Sequence, residues 1–242
     1  MAEIFVFKDE QELQKAVAEK IIALAANYIK INGRFTLALS GGNTPSGLYA
    51  LLATESYITQ VNWKKVFIFW GDERMVPMDD KENNSYNAKK VFLDKINIPG
   101  ENIFRINTTL VPANTAMKYE KIIKEFFHES IPAIDLILLG LGTNGHTASL
   151  FPGTEILHER NALVKDVYLE DQQTYRVSFT IPLINNASNI FFLVTGKDKS
   201  SIVKKVLQSS HVPLEIPAQF ITSKNNNLYW YLDEQAASDL KN

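Results

Sequence analysis

The 242-residue chain reads as one α/β domain, residues 1–242, with a mostly parallel sheet covered by helices on both faces and a small β-hairpin extension. Three observations predict this. Near-continuous apolar runs alternate with amphipathic helical stretches, as strands buried on both faces of a parallel sheet require. No repeat, low-complexity tract or Pro/Ser-rich linker divides the chain. Hydrophobic residues make up 45% of it, enough for a sizeable core at this length.

The elements follow in order. EIFVF (3–7) is a short edge strand, and Glu10 to Lys30 carries Leu13, Val17, Ile21, Leu24 and Tyr28 at helical spacing. RFTLALS (34–40) is a strand that ends in GGNTPSG and leads into helical LYALLA (48–53). KKVFIFW (64–70) is a second strand, ending in the polar cluster GDER (71–74). Ser85 caps a helix through Leu93, and Pro112 begins another that reaches about Glu129. IDLILLGLG (134–142) is a third strand, while ALVKDVYL (162–169) and YRVSFTI (175–181) read as a hairpin. NIFFLVTG (189–196) is a further buried strand followed by helical KDKSSIVKKVLQ (197–208). NLYWYLD (227–233) closes the sheet, and a short helix ends the chain.

Composition narrows the function. With 25 basic and 27 acidic residues the formal net charge is -2, so no global field draws nucleic acid or an anionic membrane. The absence of cysteine excludes disulfides, thiolate nucleophiles and thiolate metal sites. The first residues are acidic where a signal peptide needs a basic region, and no apolar run approaches the roughly 18 residues of a membrane span. A cytoplasmic protein is expected.

Ligands of parallel α/β sheets bind beyond the carboxyl ends of the strands. Three strands here end in small or polar clusters, at 40–47, 71–74 and 140–146, which folding brings to one edge. Gly140-Leu-Gly142-Thr-Asn-Gly145 fits the dinucleotide fingerprint by letter. That fingerprint needs a long crossover helix behind it, and Pro152-Gly153 interrupts too soon. The glycines instead suit close approach to a small ligand or a neighbouring loop. SGGNTPSG lacks the lysine of a P-loop, yet its glycines followed by Thr44 and Pro45 suit an anion at a helix start or, equally, a tight turn without ligand.

Arg74 offers forked donors to a phosphate or carboxylate, with Asp72 beside it to orient a hydroxyl or a base; a surface ion-pair cluster is the plainer alternative. Of four histidines (His128, His146, His158 and His211), no pair has metal-ligand spacing, and no metal or cofactor is expected. Only His146 stands in a strand-end loop beside flexible backbone, where an imidazole can take a proton from water or simply bond a carbonyl. No G-x-S-x-G elbow is present, so direct attack by water is favoured over an acyl-enzyme. The residues point to a small anionic metabolite handled by His146.

Taken together, LSGGNTP, GDERMVP…NNSYN and LGLGTNGHTASLFPG resemble the 6-phosphogluconolactonase family in order and spacing, as do YRVSFTIPLINNASNIFFLVTGKDK and IPAQFI. The likeness runs from about Phe5 to Tyr231 and implies a three-layer α/β/α fold shared with glucosamine-6-phosphate deaminases. It implies hydrolysis of 6-phospho-D-glucono-1,5-lactone to 6-phosphogluconate in the oxidative pentose phosphate route, with His146 as general base. It further implies a phosphate pocket from Ser40, Gly41, Gly42 and Thr44 with Arg74 and Lys197, and places Arg176 near the phosphate. A glycine N–H of Gly41, Gly42 or Gly145 is the expected oxyanion donor. The implied partner is a small phosphosugar lactone; the oligomeric state is left open between a monomer and a weak dimer. One departure stands out: the family usually has aspartate where this chain has Asn144. An amide can position the histidine but cannot balance its charge, a task for which Asp72 is the candidate substitute. The deaminases typically place glutamate five residues after the histidine and tyrosine at the arginine of the second loop. Here those positions are Phe151 and Arg74. A sugar-phosphate sensor without catalysis is the alternative of another class.

Overall fold

The computed structural model describes residues 2–241. The described residues form nine strands and eight α-helices. The first half holds β1 (Glu3–Phe7), α1 (Glu10–Asn32), β2 (Phe35–Leu39), α2 (Asn43–Leu52), α3 (Glu55–Ile58), β3 (Val66–Trp70), β4 (Asp72–Arg74), α4 (Asn84–Ala88) and α5 (Pro112–Phe127). The second holds β5 (Leu136–Leu139), β6 (Val164–Leu169), β7 (Thr174–Phe179), α6 (Ile181–Asn185), β8 (Ile190–Val194), α7 (Ser200–Gln208), β9 (Leu228–Asp233) and α8 (Glu234–Ala237).

Six strands form one parallel sheet in the order β1-β9-β8-β5-β2-β3. Every residue of β2 and β8 is buried. Successive side chains of a strand point to opposite faces, so this pattern requires cover on both. β1 is the exposed edge, as its sequence suggests. The starts of β2 and β5 are tied together by Asp135, whose Oδ2 accepts from the Thr36 N–H and hydroxyl, both at 2.8 Å. Helix ends obey local chemistry. Asp9 accepts from the Glu12 N–H to begin α1, and Gly33 ends it with a left-handed φ of 73°. Pro112 opens α5 as expected, and His128 follows its last turn as the left-handed cap. Among the described residues no helix is long and apolar enough to cross a membrane.

The hairpin extension is present as β6 and β7, but it has a third strand. GDER, which reads as a loop, forms β4 and pairs antiparallel with β7. Gly71 alone separates β3 from β4; its N–H donates to Leu39 O at 2.9 Å while its carbonyl accepts from the Phe179 N–H at 2.7 Å. The chain thus passes from one sheet into the other at a single residue. Two boundaries also move. Asn83, not Ser85, caps α4, accepting from the Tyr86 N–H at 2.9 Å, and a wider π-turn over Lys89–Leu93 continues it. Ile181 begins a short helix rather than ending a strand, because Pro182 and the turn beyond it leave the ladder.

Candidate active site

The three clusters meet at the carboxyl ends of β2, β3 and β5, and the end of β8 joins them. Together they line a cavity of about 530 Å³ that Ser40, Gly41, Gly42, Thr44, Asp72, Arg74, His146 and Arg176 all reach. The Ser40 backbone is fixed from both sides by Tyr49, whose hydroxyl accepts from its N–H at 3.0 Å and donates to its carbonyl at 2.9 Å. Thr44 Oγ1 lies 2.7 Å from Thr195 Oγ1, which holds the start of α2 against the end of β8. Among the described residues no acceptor meets the N–H groups of Gly41 and Gly42.

His146 is half-buried in the loop after β5. Its Nδ1 lies 2.5 Å from Asn144 Oδ1, and its backbone N–H donates to the same oxygen at 3.2 Å. A backbone N–H can only donate, so the atom facing it is the amide oxygen. The ring nitrogen that meets this oxygen therefore carries the proton, and Nε2 keeps a free lone pair. Phe151 stacks beneath the ring at 4.0 Å between centroids. On another side the ring lies against Gly142, where a Cβ would sit 2.1 Å from Nδ1. Burial pushes the His146 pKa down to about 4; Asp72 opposes this, and Arg176, Lys199 and Arg74 add to it. The imidazole is neutral at physiological pH.

Asp72 makes no hydrogen bond to His146, but its charge acts on the imidazole in the balancing sense expected of it. Buried at the start of β4, it accepts from the Ser149 hydroxyl at 2.7 Å, and its Coulomb attraction is its only link to the imidazole. Arg74 and Arg176 stand directly opposite each other across β4 and β7. Arg74 Nη1 donates to Glu82 O and Arg176 Nη2 to Gln172 Oε1, each at 2.7 Å. The Nε of both, and Ser40 Oγ, are buried without a partner. Like charges opposed in this way are destabilising unless an anion lies between them, and the three orphaned groups offer that anion donors.

Two expected ligands are not available. Lys197 turns away from the cavity, its Nζ donating to Ser238 Oγ at 2.7 Å and Asp239 Oδ1 at 3.1 Å. The tight turn over Lys197–Lys199 puts Lys199 at the cavity instead. Gly145 has spent its N–H on Gly142 O at 2.9 Å, and it packs against Ile216 rather than the cavity, so it is no oxyanion donor. Lys199 and Asn84 line the cavity and were missed by sequence reasoning, as was Ser149, which lies behind it against Asp72. All three lie in segments that carry the resemblance, TGKDK, NNSYN and GHTASLF, but nothing in those segments singles them out.

A sequence profile described as glucosamine-6-phosphate isomerases/6-phosphogluconolactonase matches residues 8–230. The chain is 39% identical to a 6-phosphogluconolactonase of a Nostoc species, covering 97% of each chain. It is 40% identical to one of a Synechocystis species, covering 95% of this chain and 89% of that one. The structure superposes on 6-phosphogluconolactonase from Trypanosoma cruzi with a TM-score of 0.89 at 27% identity, covering 100% of this chain and 98% of that one. With the fold, the strand-end pocket and near-complete matches in agreement, this chain belongs to the glucosamine-6-phosphate isomerase/6-phosphogluconolactonase family.

Proposed function

We propose that the protein hydrolyses 6-phospho-D-glucono-1,5-lactone to 6-phospho-D-gluconate, with His146 as general base. The observation that carries this reading is the combination in one cavity of a neutral imidazole and a cationic cradle with unfilled donors. The Arg74–Arg176 pair and Lys199 receive the phosphate, a dianion that answers their mutual repulsion. Binding this handle orients the ring over His146. Nε2 takes a proton from water as the water oxygen bonds to the lactone carbonyl carbon. The carbonyl electrons move to an oxyanion that faces the free N–H groups of Gly41 and Gly42. Collapse of that intermediate breaks the bond from the carbonyl carbon to the ring oxygen, which receives the proton from the imidazolium. A positioned base contributes roughly 10²–10⁴-fold, and one oxyanion donor about 10²–10³-fold. For an activated ester that is sufficient.

Phe151 also bears on the choice within the family. It stacks on His146 where a deaminase is expected to present a carboxylate, and it cannot shuttle protons. The test is to generate the lactone in situ by oxidising glucose 6-phosphate and to follow its loss against the spontaneous rate. The protein is expected to accelerate that loss and to release no ammonia from glucosamine 6-phosphate; the opposite pattern rejects the lactonase reading.

A further inference from the structure

Glu73 lies between Asp72 and Arg74 but faces the other way, fully buried. Its Oε1 accepts from the Arg74 N–H at 2.9 Å and the Asn84 N–H at 2.7 Å, and its Oε2 accepts from the Ser85 N–H at 2.9 Å. Burial pushes its pKa up to about 7 against the pull of those donors, so a carboxylate here costs free energy that an apolar side chain would avoid. What it holds is the NNSYN segment, whose place in the site is otherwise unexplained. Two residues before Asn84, the Glu82 carbonyl receives Arg74 Nη1. Asn84 itself lines the cavity and donates its Nδ2 to Asp72 O at 3.1 Å. Its amide lies so close to Gly41 that a Cβ there would sit 2.0 Å from Asn84 Oδ1. One carboxylate thus fastens a segment that touches Arg74, Asp72 and the SGG loop.

We infer that Glu73 is a positioning residue: it clamps NNSYN onto β4 and thereby fixes the Arg74 guanidinium and the Asn84 amide at the phosphate end of the cavity. This rests on the lactonase reading for its substrate, but phosphate binding tests it without turnover. In Glu73→Gln an amide nitrogen must face a backbone N–H, so at least one bond of the clamp is lost. Binding of inorganic phosphate, measured by calorimetry, is expected to weaken about 10-fold, roughly one charge-assisted hydrogen bond. KM for the lactone should rise by a similar factor, with kcat within about threefold of wild type. Glu73→Asp, which keeps both acceptor oxygens, should recover part of the loss. Unchanged phosphate affinity in a folded Glu73→Gln protein, or a fall in kcat alone, overturns the inference. So does a wild-type protein that binds no phosphate, whatever its activity on the lactone. Should Glu73→Gln not fold, amide exchange in the wild type decides. The Asn84 and Ser85 amides are expected to exchange slowly, and more slowly still with saturating phosphate; exchange at the rate of open amides, or indifference to phosphate, refutes the clamp. Failure of the lactonase reading alone leaves the phosphate and exchange results intact.

Discussion

Asn144 replaces the aspartate expected before the GHTASLF sequence, and its amide does half of a carboxylate's work. The oxygen fixes the ring and its tautomer through two hydrogen bonds but brings no charge, and Asp72 offsets the desolvation of the imidazole only in part. His146 therefore stays neutral well below the usual histidine range. A general base must be unprotonated, so the acid limb of kcat/KM should fall below pH 6.5, toward about 4. Asn144→Asp places an anion against Nδ1 and should move that limb upward by about 1–3 pH units, with KM little changed. Because the substrate phosphate also titrates near pH 6, the difference between the two proteins is the quantity to read; coincident profiles would mean that residue 144 does not tune the base. Sequence alone could name this position but not which atom of the amide faces the ring. It also could not separate Lys197 from Lys199, since a tight turn decides which one reaches the cavity. Lys199→Ala is expected to raise KM for the lactone roughly 10-fold, as loss of a phosphate contact would. Lys197→Ala, on the exposed side of that turn, should leave kinetics unchanged; the reverse ranking would reject the pocket assignment.

At the scale of elements, the parallel strands were legible because burial on both faces leaves a continuous apolar run. The helix start marked by Pro112 was equally plain, whereas the one marked by Pro182 reads as the end of a strand. β4 was not, since GDER carries three charged residues in succession and its partner β7 lies about a hundred residues away in sequence. Only that pairing reveals that Asp72 and Arg74 share one face, that Arg74 meets Arg176, and that Glu73 turns inward. The loop after β5 illustrates the converse. Its glycine spacing imitates a nucleotide fingerprint, whereas its geometry serves to wrap His146: Gly142 donates its N–H to the His146 carbonyl at 2.8 Å, and its bare Cα accepts the ring. Gly142→Ala should therefore push the imidazole off its position and lower kcat by about 10²-fold. Ala is tolerated by the backbone there, so the unfolding temperature should move little. Retention of full activity would show that the ring does not need this seat.

Across the whole molecule, the fold gathers residues from four strand ends into one pocket, and the second sheet supplies the arginine pair that completes it. Local sequence fixed the candidates loop by loop, while their relative facing depended on tertiary pairing. That is why His146, Asp72 and Arg74 could be named from the chain but the fates of Lys197 and Gly145 could not. The central claim is that this pocket hydrolyses a phosphosugar lactone through His146. It is tested most directly by comparing wild type and His146→Ala for the loss of 6-phospho-D-glucono-1,5-lactone generated in situ, each corrected for spontaneous hydrolysis. A fall of about 10²–10⁴-fold in kcat, with inorganic phosphate still bound, is the predicted result; equal rates for the two proteins would contradict it.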